Sequence, residues 1–78
     1  MTRDLDQFNK AMNAGHSAAW DQDWEEAAVH YRDAVAEFPE NLKAIRSLGM
    51  ALFESQKLEE SMHAYLDAVQ IDPEDPLT

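Results

Sequence analysis

The chain contains no cysteine, so neither a disulfide nor a thiolate metal site supports its fold, and a reducing compartment is expected, with the cytoplasm as the default. Glycine occurs twice and proline three times in 78 residues, and β-branched residues are scarce. These shortages remove the usual breakers of helix and the usual formers of strand, which leaves an all-α fold as the expected class. Basic residues are also few, six against sixteen acidic ones, for a formal net charge of -10. Such a surface repels a phosphate backbone and an anionic bilayer, so nucleic acid and membrane are excluded as expected partners. Residues 1–10 hold charges and no apolar run, so neither a secretory signal nor a membrane span is read there. At this length a single small domain is expected, with little interior for a catalytic pocket.

What the chain does contain is itself, twice. An offset of 34 residues aligns Gly15 with Gly49, Gln22 with Gln56, Glu25-Glu26 with Glu59-Glu60 and Tyr31 with Tyr65. The same offset aligns Asp33-Ala34-Val35 with Asp67-Ala68-Val69 and Pro39-Glu40 with Pro73-Glu74. About two identities would be expected by chance from average residue frequencies. A duplicated unit is therefore expected at residues 8–41 and 42–75, with 76–78 as the truncated start of a further helix.

Each unit reads as two helices and a tight turn. Helices are predicted over about Leu5 to Trp20, Trp24 to Phe38, Leu42 to Ser55 and Leu58 to Ile71. Asp21-Gln22-Asp23 ends the first, and Asp23 and Asn41 are placed to cap the second and third. Pro39 and Pro73 close the second helix of each unit. Trp24, Ala27, Ala28, Tyr31, Ala34, Val35 and Phe38 recur at three- and four-residue steps, as do Leu58, Met62, Tyr65, Leu66, Ala68 and Val69. That spacing predicts one buried face per helix, with Trp24 and Leu58 as plugs beside the turns. Gly15 and Gly49 are expected where paired helices cross, since a mid-helix glycine otherwise costs about 1 kcal/mol relative to alanine.

The 34-residue period, the small residues at the crossings and the closing prolines resemble the tetratricopeptide repeat. The signature positions read Ala11, Ala14-Gly15, Ala18, Ala27, Tyr31, Ala34 and Pro39 in the first unit. In the second they read Ile45, Leu48-Gly49, Leu52, Ser61, Tyr65, Ala68 and Pro73, with Ser61 in place of the usual alanine. The resemblance implies a two-repeat, four-helix module that holds other proteins and is not an enzyme.

It also implies that the first helices line a concave surface where ligands lie. Four-residue spacing places Phe8, Met12, His16 and Trp20 in one stripe and Leu42, Arg46, Met50 and Glu54 in its equivalent, flanked by Asn9, Asn13, Lys43 and Phe53. The expected groove is Phe8, Asn9, Met12, Asn13, His16, Trp20, Lys43, Arg46, Met50 and Phe53, open to an extended peptide or a partner helix with Trp20 as anchor. The alternative reading packs Phe8, Met12 and Trp20 against a neighbouring copy or the amino-terminal residues. Asn13 and Lys43 resemble part of the two-carboxylate clamp of some tetratricopeptide co-chaperones, but Ser47 stands where an arginine is expected. Asn13, Lys43 and Arg46 nonetheless form a cluster of polar donors suited to an acidic peptide tail.

No catalytic or cofactor set can be assembled. His16, His30 and His63 lack the four-residue spacing of a helical metal pair, and no nucleophile, base and acid or glycine-rich phosphate loop is present. The last helix is expected to expose Met62, Tyr65, Leu66, Val69 and Ile71 where a following helix would lie. That exposure suggests a homo-oligomer as the competing function, with helices exchanged across the Pro39 link as one route.

Overall fold

The computed structural model describes residues 4–72, which form four helices: α1 (Leu5–Trp20), α2 (Trp24–Glu37), α3 (Leu42–Glu54) and α4 (Leu58–Ile71). The expectation of a further helix beginning at 76–78 lies outside the described residues. Connections of three or four residues oblige consecutive helices to fold back on one another, and α1 packs on α2, α2 on α3 and α3 on α4. The result is two helical hairpins in a short stack.

The helix starts follow the capping residues. Asp4 accepts from the backbone N–H groups of Asp6 and Gln7, Asp23 from Glu26 and Asn41 from Ala44. Helix α4 has Lys57 at its N-cap position and no side-chain cap. The first helix of each hairpin ends in a Schellman motif: Asp23 N–H donates to Ala18 C=O and Gln22 N–H to Ala19 C=O, and Lys57 and Gln56 do the same to Leu52 and Phe53. Both motifs put a glutamine in the left-handed region, Gln22 at φ 62° and Gln56 at φ 70°.

Two helix ends fall one residue short of expectation. Phe38, expected within α2, is its C-cap at φ −133° and ψ 82°, because Pro39 disfavours helical geometry in the residue before it. Ser55, expected within α3, is also a cap, and its hydroxyl donates to the Leu52 carbonyl at 3.1 Å.

Small residues dominate the interior. Met12, Ala18, Ala27, Ala28, Tyr31, Ala34, Ala44, Ala51 and Leu52 form one buried cluster, and Ile45, Ala64 and Ala68 a second. Tyr31 and Leu52 are the largest fully buried side chains. Alanine contributes little area per residue but lets helix backbones approach closely, so the bulk comes from Tyr31, Leu52, Met12 and Ile45. The buried face of α4 differs from expectation: it is Ser61, Ala64 and Ala68, while Leu58, Met62 and Leu66 are exposed. Leu58 is thus no core plug, and its counterpart Trp24 is half-buried against the first cluster.

Candidate functional site

Helices α1 and α3 carry all ten residues of the expected groove. They divide by burial. Met12 is 6% exposed and belongs to the main buried cluster, which also contains Ala44 and Ala51 of α3, so it serves packing and does not face a ligand. Phe8 is half-buried, and its ring meets Phe38 edge-on with centroids 5.1 Å apart. That contact closes the open end of the first hairpin, where the Asp4 N–H also donates to Glu37 Oε1 at 2.9 Å. Arg46 is half-buried on α3.

The other seven, Asn9, Asn13, His16, Trp20, Lys43, Met50 and Phe53, are exposed. Trp20 stands out at 88% exposed, with Phe53 at 57%. His16 is oriented from beneath, its Nδ1 lying 2.7 Å from the hydroxyl of buried Tyr31. Phe53 edges a shallow depression shared with Glu54, Gln56 and Leu58 at the turn of the second hairpin. Chemically these exposed positions of α1 and α3 offer aromatic and thioether groups together with amide, imidazole and ammonium groups. These suit covering an apolar segment and bonding its backbone.

Burial raises the pKa of both tyrosines, Tyr31 and Tyr65, above the ordinary phenol value. Each ring lies on the glycine of the partner helix, Tyr31 on Gly15 and Tyr65 on Gly49. Among the expected interface residues of α4, Met62, Leu66 and Ile71 are exposed. Tyr65 and Val69, expected to be open as well, are half-buried.

One feature was not foreseen from the sequence. A cleft of about 360 Å³ opens between α2, α3 and α4, with Val35, Ile45, Leu48, Leu52 and Ala64 among its apolar lining and Arg32, Glu60, His63 and Asp67 as its polar lining. Arg32 Nη2 and Glu60 Oε1, 2.9 Å apart, join α2 to α4. These residues are 28 apart in sequence, a separation unrelated to the repeat period, so only the packing of the helices reveals the pair.

Among the described residues no group of three or more histidine, cysteine or acidic side chains is arranged to hold a metal ion, and no helix is long and apolar enough to cross a membrane. His30 Nε2 lies 3.0 Å from Glu26 on the same helix.

A family model described as tetratricopeptide repeat matches residues 21–77 of the chain. No match was found among curated proteins or among solved structures.

Proposed function

Since the chain belongs to the tetratricopeptide-repeat family, whose members generally mediate protein–protein interaction, we propose that it is an adaptor that takes a peptide or partner helix across the exposed faces of α1 and α3. The observation that carries this reading is Trp20, an indole 88% exposed at the end of α1. Covering a large apolar side chain is worth roughly 1.5–3 kcal/mol, so a solvated tryptophan is a ready anchor for a partner. Met50 and Phe53 extend the apolar contact along α3, and Asn9, Asn13 and Lys43 supply donors for a peptide backbone or an acidic group. The reading assigns the chain no catalytic step and no cofactor, and it places the chain in the cytoplasm.

Peptides selected against the intact chain from a random library provide the test. Their binding should shift Trp20 fluorescence to shorter wavelength. Trp20→Ala and Met50→Ala should each weaken binding at least tenfold with helicity unchanged. Equal binding to Trp20→Ala, or loss of circular dichroism in that variant, would remove the anchor and the reading with it.

A further inference from the structure

The duplication makes the cleft between α2, α3 and α4 particular to the second hairpin. Its floor is Ile45, Leu48 and Leu52 of α3, whose counterparts 34 residues earlier are Ala11, Ala14 and Ala18. The corresponding groove on the first hairpin, along α1 and α2, holds Ala14 and Ala18 beside Asp21, Asp23 and Glu26. Alanines leave that groove with little apolar surface, whereas one isoleucine and two leucines give the cleft a floor that an apolar ligand can cover.

Helices α2 and α4 both pack on α3 and form the two walls. Glu60, His63, Ala64 and Asp67 recur at three- and four-residue steps, so one stripe of α4 lines the cleft. At one end of that stripe Arg32 of α2 already holds Glu60 at 2.9 Å. Asp67 stands two turns further along α4, roughly 10 Å along the helix axis. It is exposed and has no cation partner among the described residues.

Size and charge select the occupant. A volume of about 360 Å³ lies near the lower end for small-molecule sites, which suits a ligand of a single ring or a short branched chain. An anion would meet Glu60 and Asp67 on the wall and a chain of net charge -10 behind them. A neutral molecule would leave Asp67 unused. An ammonium group gives Asp67 a charge-assisted hydrogen bond while the rest of the ligand covers the floor.

We propose that the cleft binds a small amphiphilic amine, with its apolar body on Ile45, Leu48 and Leu52 and its ammonium group donating to the Asp67 carboxylate. The Arg32–Glu60 pair bounds the apolar floor at the other end. No residue of the cleft belongs to the exposed surface of α1 and α3, so the proposal does not depend on the reading given to that surface.

Phenethylamine, its neutral isostere phenethyl alcohol and the anion hydrocinnamate test it when titrated into the intact chain and followed by NMR of its methyl and amide groups. Ligands of this size bind at roughly millimolar strength. The amine should move the methyl signals of Ile45, Leu48 and Leu52. It should bind at least about threefold more tightly than the alcohol, an increment suited to an exposed ion pair, with hydrocinnamate weakest. Asp67→Asn should bring the amine down to the affinity of the alcohol. Asp33→Asn, the same charge change at the equivalent position of α2 and outside the cleft, should leave amine binding unaltered, as should Trp20→Ala. Equal effects of Asp67→Asn and Asp33→Asn would mean attraction by overall charge and would overturn the proposal. So would signals that move chiefly at Asp21, Asp23 and Glu26, or equal binding of amine and alcohol. Nα-acetyl-lysinamide carries the same ammonium group on a capped residue; binding as tight as that of phenethylamine would overturn the small-molecule assignment and give the cleft to a partner protein's lysine.

Discussion

Gly15 and Tyr31 lie so close that a methyl group on the glycine would sit 2.5 Å from Cε1 and 2.6 Å from Cδ1 of the ring. The ring has nowhere to retreat: Tyr31 is 1% exposed and its hydroxyl is held by His16 at 2.7 Å. At the equivalent crossing a methyl group on Gly49 would meet the Tyr65 ring at 3.0 Å, and that ring is half-buried and free to yield by a few tenths of an ångström. The two crossings should therefore respond unequally. Overpacking costs about 1–3 kcal/mol, against a helix-propensity gain of about 1 kcal/mol for replacing glycine with alanine. Gly15→Ala should lose about 1–2 kcal/mol by urea denaturation, and Gly49→Ala should stay within about 0.5 kcal/mol of the parent. Equal losses would show that the crossings are equally tight.

Both glycines were legible in the sequence because the repeat places them at the same point of each unit, and the four helices were legible because the breakers are so few. The division of the groove was not. Four-residue spacing puts Met12 and Trp20 on one stripe of α1, yet Met12 is buried and Trp20 is open. Periodicity reports which side chains share a face, whereas burial depends on how the helices pack around that face, and Met12 falls within the main buried cluster while Trp20, at the end of α1, does not. Ser61 was readable only as a substitute for alanine; in the structure it is 3% exposed and its hydroxyl donates to the Gly49 carbonyl at 2.8 Å, a bond between helices that no local pattern announces. The Arg32–Glu60 pair was hidden for the same reason.

Repetition also exposes a missing cap. Asp23 opens α2 by accepting from Glu26 N–H at 3.3 Å, whereas its counterpart Lys57 opens α4 with no acceptor to offer. Lys57→Asn supplies the oxygen without adding a negative charge beside Glu59 and Glu60. It should stabilise the chain by about 1 kcal/mol, the usual worth of a side-chain N-cap. An unchanged or lower melting temperature would show that the first turn of α4 is held by other means.

The left-handed glutamines offer a second route to stability. Gln22 at φ 62° and Gln56 at φ 70° occupy the Schellman position that glycine takes at least steric cost. Left-handed geometry costs an L-residue about 1–2 kcal/mol, part of which glycine returns through the greater freedom of its unfolded chain. Gln22→Gly and Gln56→Gly should each stabilise by about 0.5–1 kcal/mol and add when combined, the two turns being in different hairpins. Calorimetry on the single and double variants checks both magnitude and additivity.

The buried phenols predict how the fold fails in alkali. Burial holds the Tyr31 and Tyr65 pKa values above the ordinary 10.0, because it disfavours the phenolate. Below about pH 10 the phenols are protonated in both the folded and the unfolded chain, and stability does not depend on them. Above it the unfolded chain gives up its phenolic protons first, so the folded state holds more protons and loses stability as pH rises, until the folded phenols ionise in turn. Each such proton contributes a slope of at most about 1.4 kcal/mol per pH unit, with the fuller share expected from Tyr31, which is closed to solvent, and less from half-exposed Tyr65. Tyr31→Phe should cost about 1 kcal/mol near neutral pH through the lost bond to His16, and should then fall less steeply between pH 10 and 11 than the parent chain. Urea midpoints measured from pH 8 to 11 on both chains decide the matter: parallel curves would mean that the Tyr31 phenol does not control the alkaline limit.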